Sequence, residues 1–187
     1  MNHPTQRLSS RRLAAATVLA AALTGTAMLA PHAAVALDAP AQQTTMSDAQ
    51  THTIKTFSDK CFTVANTDPG NSVPIRTYTC RSNDPSQQFT LVPVGNNEYE
   101  IKTFSDKCFT VANSDPGNSV PIRTYTCRGD FSQRFRLVPA GNNEYEIRAF
   151  SDKCFTIANG DPGNSAPIRT YTCSGDFSQR FRFDPGL

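Results

Sequence analysis

The sequence predicts an all-β fold, a closed three-fold body of about twelve short strands. Three observations predict it. From residue 54 onward one unit is written three times. No window of helical length carries a 3.6-residue apolar period, whereas short alternating runs recur in every unit. The six cysteines fall as one pair per unit. A length of 187 residues suits one domain plus a processed segment.

The copies read IKTFSDKCFTVANTDPGNSVPIRTYTC from Ile54, IKTFSDKCFTVANSDPGNSVPIRTYTC from Ile101 and IRAFSDKCFTIANGDPGNSAPIRTYTC from Ile147. A Gln-x-Phe follows each: Gln87-Gln88-Phe89, Gln133-Arg134-Phe135 and Gln179-Arg180-Phe181. Cys61 to Cys108 is 47 residues and Cys108 to Cys154 is 46. The units therefore span about 54–100, 101–146 and 147–187, and so regular a period marks a repeat architecture.

Each unit is read as four strands. In the first copy Cys61-Phe62-Thr63-Val64 alternates in polarity, as does Ile75-Arg76-Thr77-Tyr78-Thr79-Cys80. Phe89-Thr90-Leu91-Val92 and Glu98-Tyr99-Glu100-Ile101 are the third and fourth, with Tyr99 and Ile101 expected inward and both acids in water. Asp68-Pro69-Gly70-Asn71 and Gly95-Asn96-Asn97 are turns. The third copy stops at Leu187 without its version of the fourth strand. Thr51-His52-Thr53-Ile54-Lys55 precedes the first unit and is expected to supply it, which removes an exposed sheet edge. The domain is thus placed at 51–187.

Six cysteines allow fifteen connectivities. The repeat singles out one: Cys61 with Cys80, Cys108 with Cys127, Cys154 with Cys173. Each bridge closes a loop of about 20 residues, worth roughly 3 kcal/mol in the loop-entropy account. Zinc is the rival use of cysteine. There is no Cys-x-x-Cys and no histidine inside the repeats, so no metal and no cofactor is expected.

Residues 1–36 read as a secretory signal: basic at Arg7, Arg11 and Arg12, uncharged from Leu13 to Ala30, then Ala34-Val35-Ala36 as a small-residue cleavage site. The uncharged stretch is interrupted by Gly25 and lacks a basic flank, which disfavours a membrane anchor. Ser10-Arg11-Arg12-Leu13 leaves Sec and twin-arginine export both open. Residues 37–50 read as a flexible linker. The formal charge of +2 rests on that leader, which holds three bases and no acid; the remainder has 15 bases against 16 acids. A near-neutral body excludes nucleic acid as the default partner. Without histidine in the repeats, no Ser-His or Cys-His catalytic set can form, and no catalytic residue is assigned.

A Cys-initiated strand, a second Cys 19 positions on, a Gln-x-aromatic shortly after, and three such units in tandem resemble the ricin-type lectin domain. The resemblance covers about residues 51–187 and implies a β-trefoil. Phe stands here in place of the family's usual Trp. The resemblance implies a sugar pocket on the two Cys-bearing strands and carries over three positions. Two residues after the first Cys, where the family typically has Asp, stand Thr63, Thr110 and Thr156. Two before the second Cys, where a ring stacks on the sugar, stand Tyr78, Tyr125 and Tyr171. Two further back, where a polar side chain is common, stand Arg76, Arg123 and Arg169. The Asp that fixes galactose-type hydroxyls is absent. The resemblance gives Phe89, Phe135 and Phe181 to the core.

Strand parity supports an outward site. Cys61 and Thr63 share one face, as do Arg76, Tyr78 and Cys80, with Phe62, Val64 and Ile75 opposite. If the disulfide sets the register, Thr63 lies near Tyr78 and Ala65 near Arg76. A ring plus forked donors suits a polyol, whose C–H face stacks while its hydroxyls take hydrogen bonds. Asp59, Asp68 or Asp84 could replace the missing carboxylate. Each residue also has a plainer reading. Tyr78 could cover the disulfide, Arg76 could be a solvated strand residue paired with Asp68, and Asp68-Pro69-Gly70-Asn71 could be only a turn. The expected function is multivalent, non-catalytic carbohydrate binding by a secreted monomer without a membrane span. The alternative is a protein-binding trefoil, an inhibitor or toxin recognition subunit, acting through the loop at 67–72.

Overall fold

The computed structural model describes residues 50–187. The expected signal at 1–36 and nearly all of the linker at 37–50 lie outside the described residues.

Twelve strands and six short 3-10 turns make up the described chain. The strands are β1 (Thr51–Lys55), β2 (Lys60–Val64), β3 (Ile75–Thr79), β4 (Phe89–Gly95), β5 (Glu98–Lys102), β6 (Lys107–Val111), β7 (Ile122–Thr126), β8 (Phe135–Gly141), β9 (Glu144–Arg148), β10 (Lys153–Ile157), β11 (Ile168–Thr172) and β12 (Arg182–Asp184). All pairings are antiparallel.

Six strands close a barrel in the order β1, β4, β5, β8, β9, β12 and back to β1. The seams between units are equivalent pairs: His52 opposite Phe89, Tyr99 opposite Phe135, and Tyr145 opposite Phe181. The segment ahead of the first unit completes the third. Ile54 sits opposite Phe183 as Ile101 sits opposite Leu91. The other six strands form three hairpins, β2–β3, β6–β7 and β10–β11, that cap one end. Six barrel strands and three capping hairpins in threefold array constitute a β-trefoil.

The core follows from strand alternation. Phe62, Val64 and Ile75 are fully buried, and so are their counterparts in the other copies. Each Gln-x-Phe ring packs edge-on against the hairpin ring of the next unit. Phe89 meets Phe109 at 5.0 Å, Phe135 meets Phe155 at 4.9 Å and Phe181 meets Phe62 at 4.9 Å between centroids. Such pairs contribute about 0.5–1.5 kcal/mol beyond their buried area. The cycle is closed, so no unit has a complete core alone.

The hairpins are tied to one another by the repeated Thr77, Thr124 and Thr170, all buried. Thr124 donates its hydroxyl to the Gly70 carbonyl at 2.8 Å and accepts the Val73 amide at 3.2 Å. Thr170 and Thr77 repeat this with Gly117–Val120 and Gly163–Ala166. The Asp-Pro-Gly-Asn turn is therefore a docking element. Asp68 accepts the Gly70 amide at 2.8 Å, and a Cβ on Gly70 would stand 2.9 Å from that Asp68 oxygen. Asp68 is engaged with its own turn and forms no ion pair with Arg76.

Two sequence expectations are corrected. The first is the hairpin register. Cys61 lies opposite Tyr78 and Thr63 opposite Arg76, two positions from the expected pairing. Cys80 lies one residue beyond β3, so the bridge runs diagonally across 5.0 Å between Cα atoms. A shift of two keeps every side chain on its expected face and changes only its neighbours. The second is the pair of acids on the fourth strand. Glu100 and its copy Glu146 are buried rather than solvated. β5 pairs with β4 and β8 and, at Lys102 opposite Cys108, with β6, which brings the Cys108–Cys127 bridge within 4.8 Å of the Glu100 carboxylate. Glu146 is neutralised by Arg148 at 2.7 Å.

Candidate functional site

The three disulfides join Cys61–Cys80, Cys108–Cys127 and Cys154–Cys173, one inside each copy. Beside each bridge the chain makes two local turns. After the first Cys strand comes a 3-10 turn whose central Asn66, Asn113 or Asn159 has a φ near +60°. Asn tolerates this left-handed conformation because its short polar side chain bonds locally. After the second Cys, Asp84, Asp130 or Asp176 caps another 3-10 turn. The Oδ1 atom of Asp130 accepts the Ser132 amide at 3.0 Å and the Ser132 hydroxyl at 2.6 Å. Its Oδ2 atom takes no part in the cap.

These turns and the Cys strands enclose a pocket. In the second copy Thr110, Asn113, Ser114, Tyr125, Arg128 and Asp130 line an open depression of about 180 Å³. In the third, Thr156, Asn159, Tyr171, Asp176 and Phe177 line one of about 420 Å³. The first copy keeps Thr63, Asn66, Tyr78 and Asp84 but has Pro85 where the others have Phe131 and Phe177, and its Arg81 lies over the Tyr78 ring at 5.1 Å from the centroid. That guanidinium and ring make a cation–π contact.

The tyrosines face outward. Tyr78 is 36% exposed, and Tyr125 and Tyr171 are half-buried on the pocket wall. Each lies opposite a bridged Cys in register, so the ring both flanks the disulfide and lines the pocket.

The threonines are placed in the pockets but are engaged. Thr110 donates to the Cys108 carbonyl at 3.1 Å and accepts from Gln133 Nε2 at 2.9 Å. Gln133 also donates to the Thr126 carbonyl and accepts the Arg128 amide. Gln87 and Gln179 repeat the arrangement with Thr63 and Thr156. The Gln of the Gln-x-Phe motif thus locks the pocket floor, with its NH₂ bonded twice and its carbonyl once, or twice in Gln179, which also accepts the Ser174 hydroxyl.

The arginines lie directly opposite the threonines in register, Arg76 to Thr63, Arg123 to Thr110 and Arg169 to Thr156. Arg76, Arg123 and Arg169 line neither of the two pockets and lie instead around the pseudo-threefold axis. Arg123 also borders, with Asn113 and Tyr125, a depression of about 260 Å³.

Sequence reasoning left three carboxylates open. Asp59 pairs with Arg182 at 2.5 Å, and Asp68 caps its own turn. The Asp84 position is the one whose copies, Asp130 and Asp176, line pockets. The Asn at positive φ was missed. Its signal is the repeated Ala-Asn directly after an alternating strand, a place where the chain must turn sharply. Glu100 lies within 4.8 Å of the Cys108 and Cys127 sulfurs. Both sulfurs are bonded to each other and offer no thiolate to a metal.

A pseudo-threefold barrel with outward pockets beside its disulfides defines a β-trefoil binding domain. The sequence profile of the ricin-type β-trefoil lectin domain matches residues 30–135 and 97–186. The chain belongs to that family, which is one of carbohydrate-binding domains. No curated protein matches it. Among solved structures, a designed threefold-symmetric protein, ThreeFoil, is 25% identical, with a TM-score of 0.69 over 71% of this chain and 96% of that one. The agglutinin of Rhizoctonia solani is 20% identical, with a TM-score of 0.64 over 72% and 94%. An exo-β-1,3-galactanase from Clostridium thermocellum is 20% identical, with a TM-score of 0.70 over 73% of this chain but only 30% of that one. The match to the enzyme therefore covers less than a third of its length.

Proposed function

We propose that the protein is a secreted, non-catalytic carbohydrate-binding protein that grips a polysaccharide or cell-surface glycan through repeated pockets. One observation carries the reading: an outward tyrosine, an Asn amide and an Asp carboxylate meet in one concave site, beside a disulfide, in the second and third copies. The ring stacks on the apolar face of a sugar. Asn113 and Asp130, or Asn159 and Asp176, take its hydroxyls as donor and acceptors. Thr110 and Thr156, held by Gln133 and Gln179, form the floor. Export is supported by the leader-like residues 1–36 and by three disulfides, which persist in oxidising compartments. Linked weak sites raise apparent affinity by roughly 10²–10⁴, which favours a polymeric or clustered glycan.

The test is a screen of glycans and insoluble polysaccharides, repeated with Tyr78, Tyr125 and Tyr171 replaced together by Ala. Retention by the native protein and its loss in a folded triple variant supports the reading. Equal retention by the variant rejects the rings as the platform. Binding to a protein ligand that free sugars fail to displace would instead favour a protein-recognition trefoil.

A further inference from the structure

Three arginines share one depression at the centre of the hairpin cap and, among the described residues, have no counter-ion. Arg76, Arg123 and Arg169 line a hollow of about 270 Å³ with Pro74, Pro121, Pro167 and Ser165. Backbone bridges hold their Cα positions around the axis: Pro74 to Arg123, Pro121 to Arg169 and Pro167 to Arg76. No acid lines the hollow. Among the described residues none of the three is in an ion pair.

Two of the side chains are tethered in a way that leaves donors over. Arg123 donates from Nη1 to the carbonyl and hydroxyl of Ser72, at 3.2 and 3.0 Å. Arg169 donates from Nη1 to the Ser119 hydroxyl at 2.9 Å. The Nε of Arg169 is buried without a partner. A buried charged donor with no acceptor costs free energy, and three like charges in one hollow repel each other. The repulsion is relieved by a ligand that brings negative oxygens into the hollow.

We propose that the pseudo-threefold axis is an oxyanion site for a sulfate- or phosphate-type tetrahedral group. Such a group presents three equivalent oxygens down its own threefold axis, one to each guanidinium. Planar, always-charged forks suit this recognition better than ammonium groups. The anion is either free in solution or an ester carried on a glycan. The site is separate from the tyrosine pockets and does not depend on them.

The experiment is calorimetric titration of the protein at low salt with inorganic sulfate, inorganic phosphate, dextran sulfate and plain dextran. It is run on the native protein, on Arg76→Gln, on the triple Gln variant and on the triple tyrosine variant. Arg76 is the exposed member, so its replacement leaves the fold in place, as circular dichroism would check. Anion binding by the native protein is expected, weakening as salt rises. Loss of one charge-assisted fork should weaken it roughly tenfold in Arg76→Gln and further in the triple Gln variant. The tyrosine variant should bind the anions unchanged. Dextran sulfate binding tighter than inorganic sulfate would identify the glycan-borne ester as the source; equal affinities would identify the free ion. Absence of anion binding in the native protein would overturn the proposal, as would equal binding by Arg76→Gln and the triple Gln variant.

Discussion

Gln133 is a buried side chain whose amide bonds to Thr110, to the Thr126 carbonyl and to the Arg128 amide. Removing it strands two backbone groups and one hydroxyl behind the pocket. Gln133→Ala should therefore destabilise the protein by about 2–4 kcal/mol, read as a lower urea midpoint. A midpoint unchanged from native would show that the lock is incidental. A second residue-scale prediction concerns the first copy. Phe131 packs on Phe150 at 4.7 Å and Phe177 on Phe57 at 4.5 Å, but Pro85 occupies the equivalent place in copy one. Its would-be partner Phe104 is left 38% exposed. Pro85→Phe should restore the ring pair and add about 0.5–1.5 kcal/mol; a loss of stability in a thermal scan would contradict it. The core phenylalanines and the motif glutamines were legible in the sequence, because alternation and repetition identify them. The pocket carboxylate was not. Asp59, Asp68 and Asp84 all sit in turns, and only the folded geometry shows that the Asp84 position, itself a turn cap, also lies in the pocket with the ring.

The hairpins and the closing strand carry the account at the level of elements. The strands were legible to within a few residues, and the borrowed β1 followed from the missing fourth strand of the third copy. The register was not legible. The disulfide was taken to face Cys against Cys, whereas the bridge reaches diagonally from a residue beyond the strand. The hollow that the arginines share was not legible for a related reason. Parity gave their face, but the approach of three hairpins to one axis is a tertiary fact that no single strand encodes. The closing seam makes a pH prediction. Lys55 bonds and attracts the Asp184 carboxylate at 2.5 Å, holding its pKa below the ordinary value. A lowered folded-state pKa stabilises the protein above the unfolded value and is lost as pH falls through the folded one. The seam should keep its contribution at neutral pH and lose it in the acid range. Asp184→Asn should remove that part of the acid sensitivity. Acid unfolding curves that superimpose for the two proteins would refute the link.

At the largest scale, the described residues form a ring of three incomplete units. Each unit's Gln-x-Phe ring lies against the next unit's hairpin, and each hairpin threonine is bonded to a neighbouring turn. Unfolding should accordingly be a single transition. Dithiothreitol should lower the melting temperature strongly, since three loops of about 20 residues regain their freedom together; an unshifted scan would contradict the role given to the bridges. The threefold plan also multiplies the pocket, with the first copy weakened by Arg81 over its ring. The most direct measurement is the stoichiometry of a calorimetric titration with a soluble glycan drawn from the screen. Strong sites at the second and third copies, and a weaker one at the first, are the predicted result, with Tyr125→Ala and Tyr171→Ala each removing one strong site. A stoichiometry untouched by both substitutions would contradict the account.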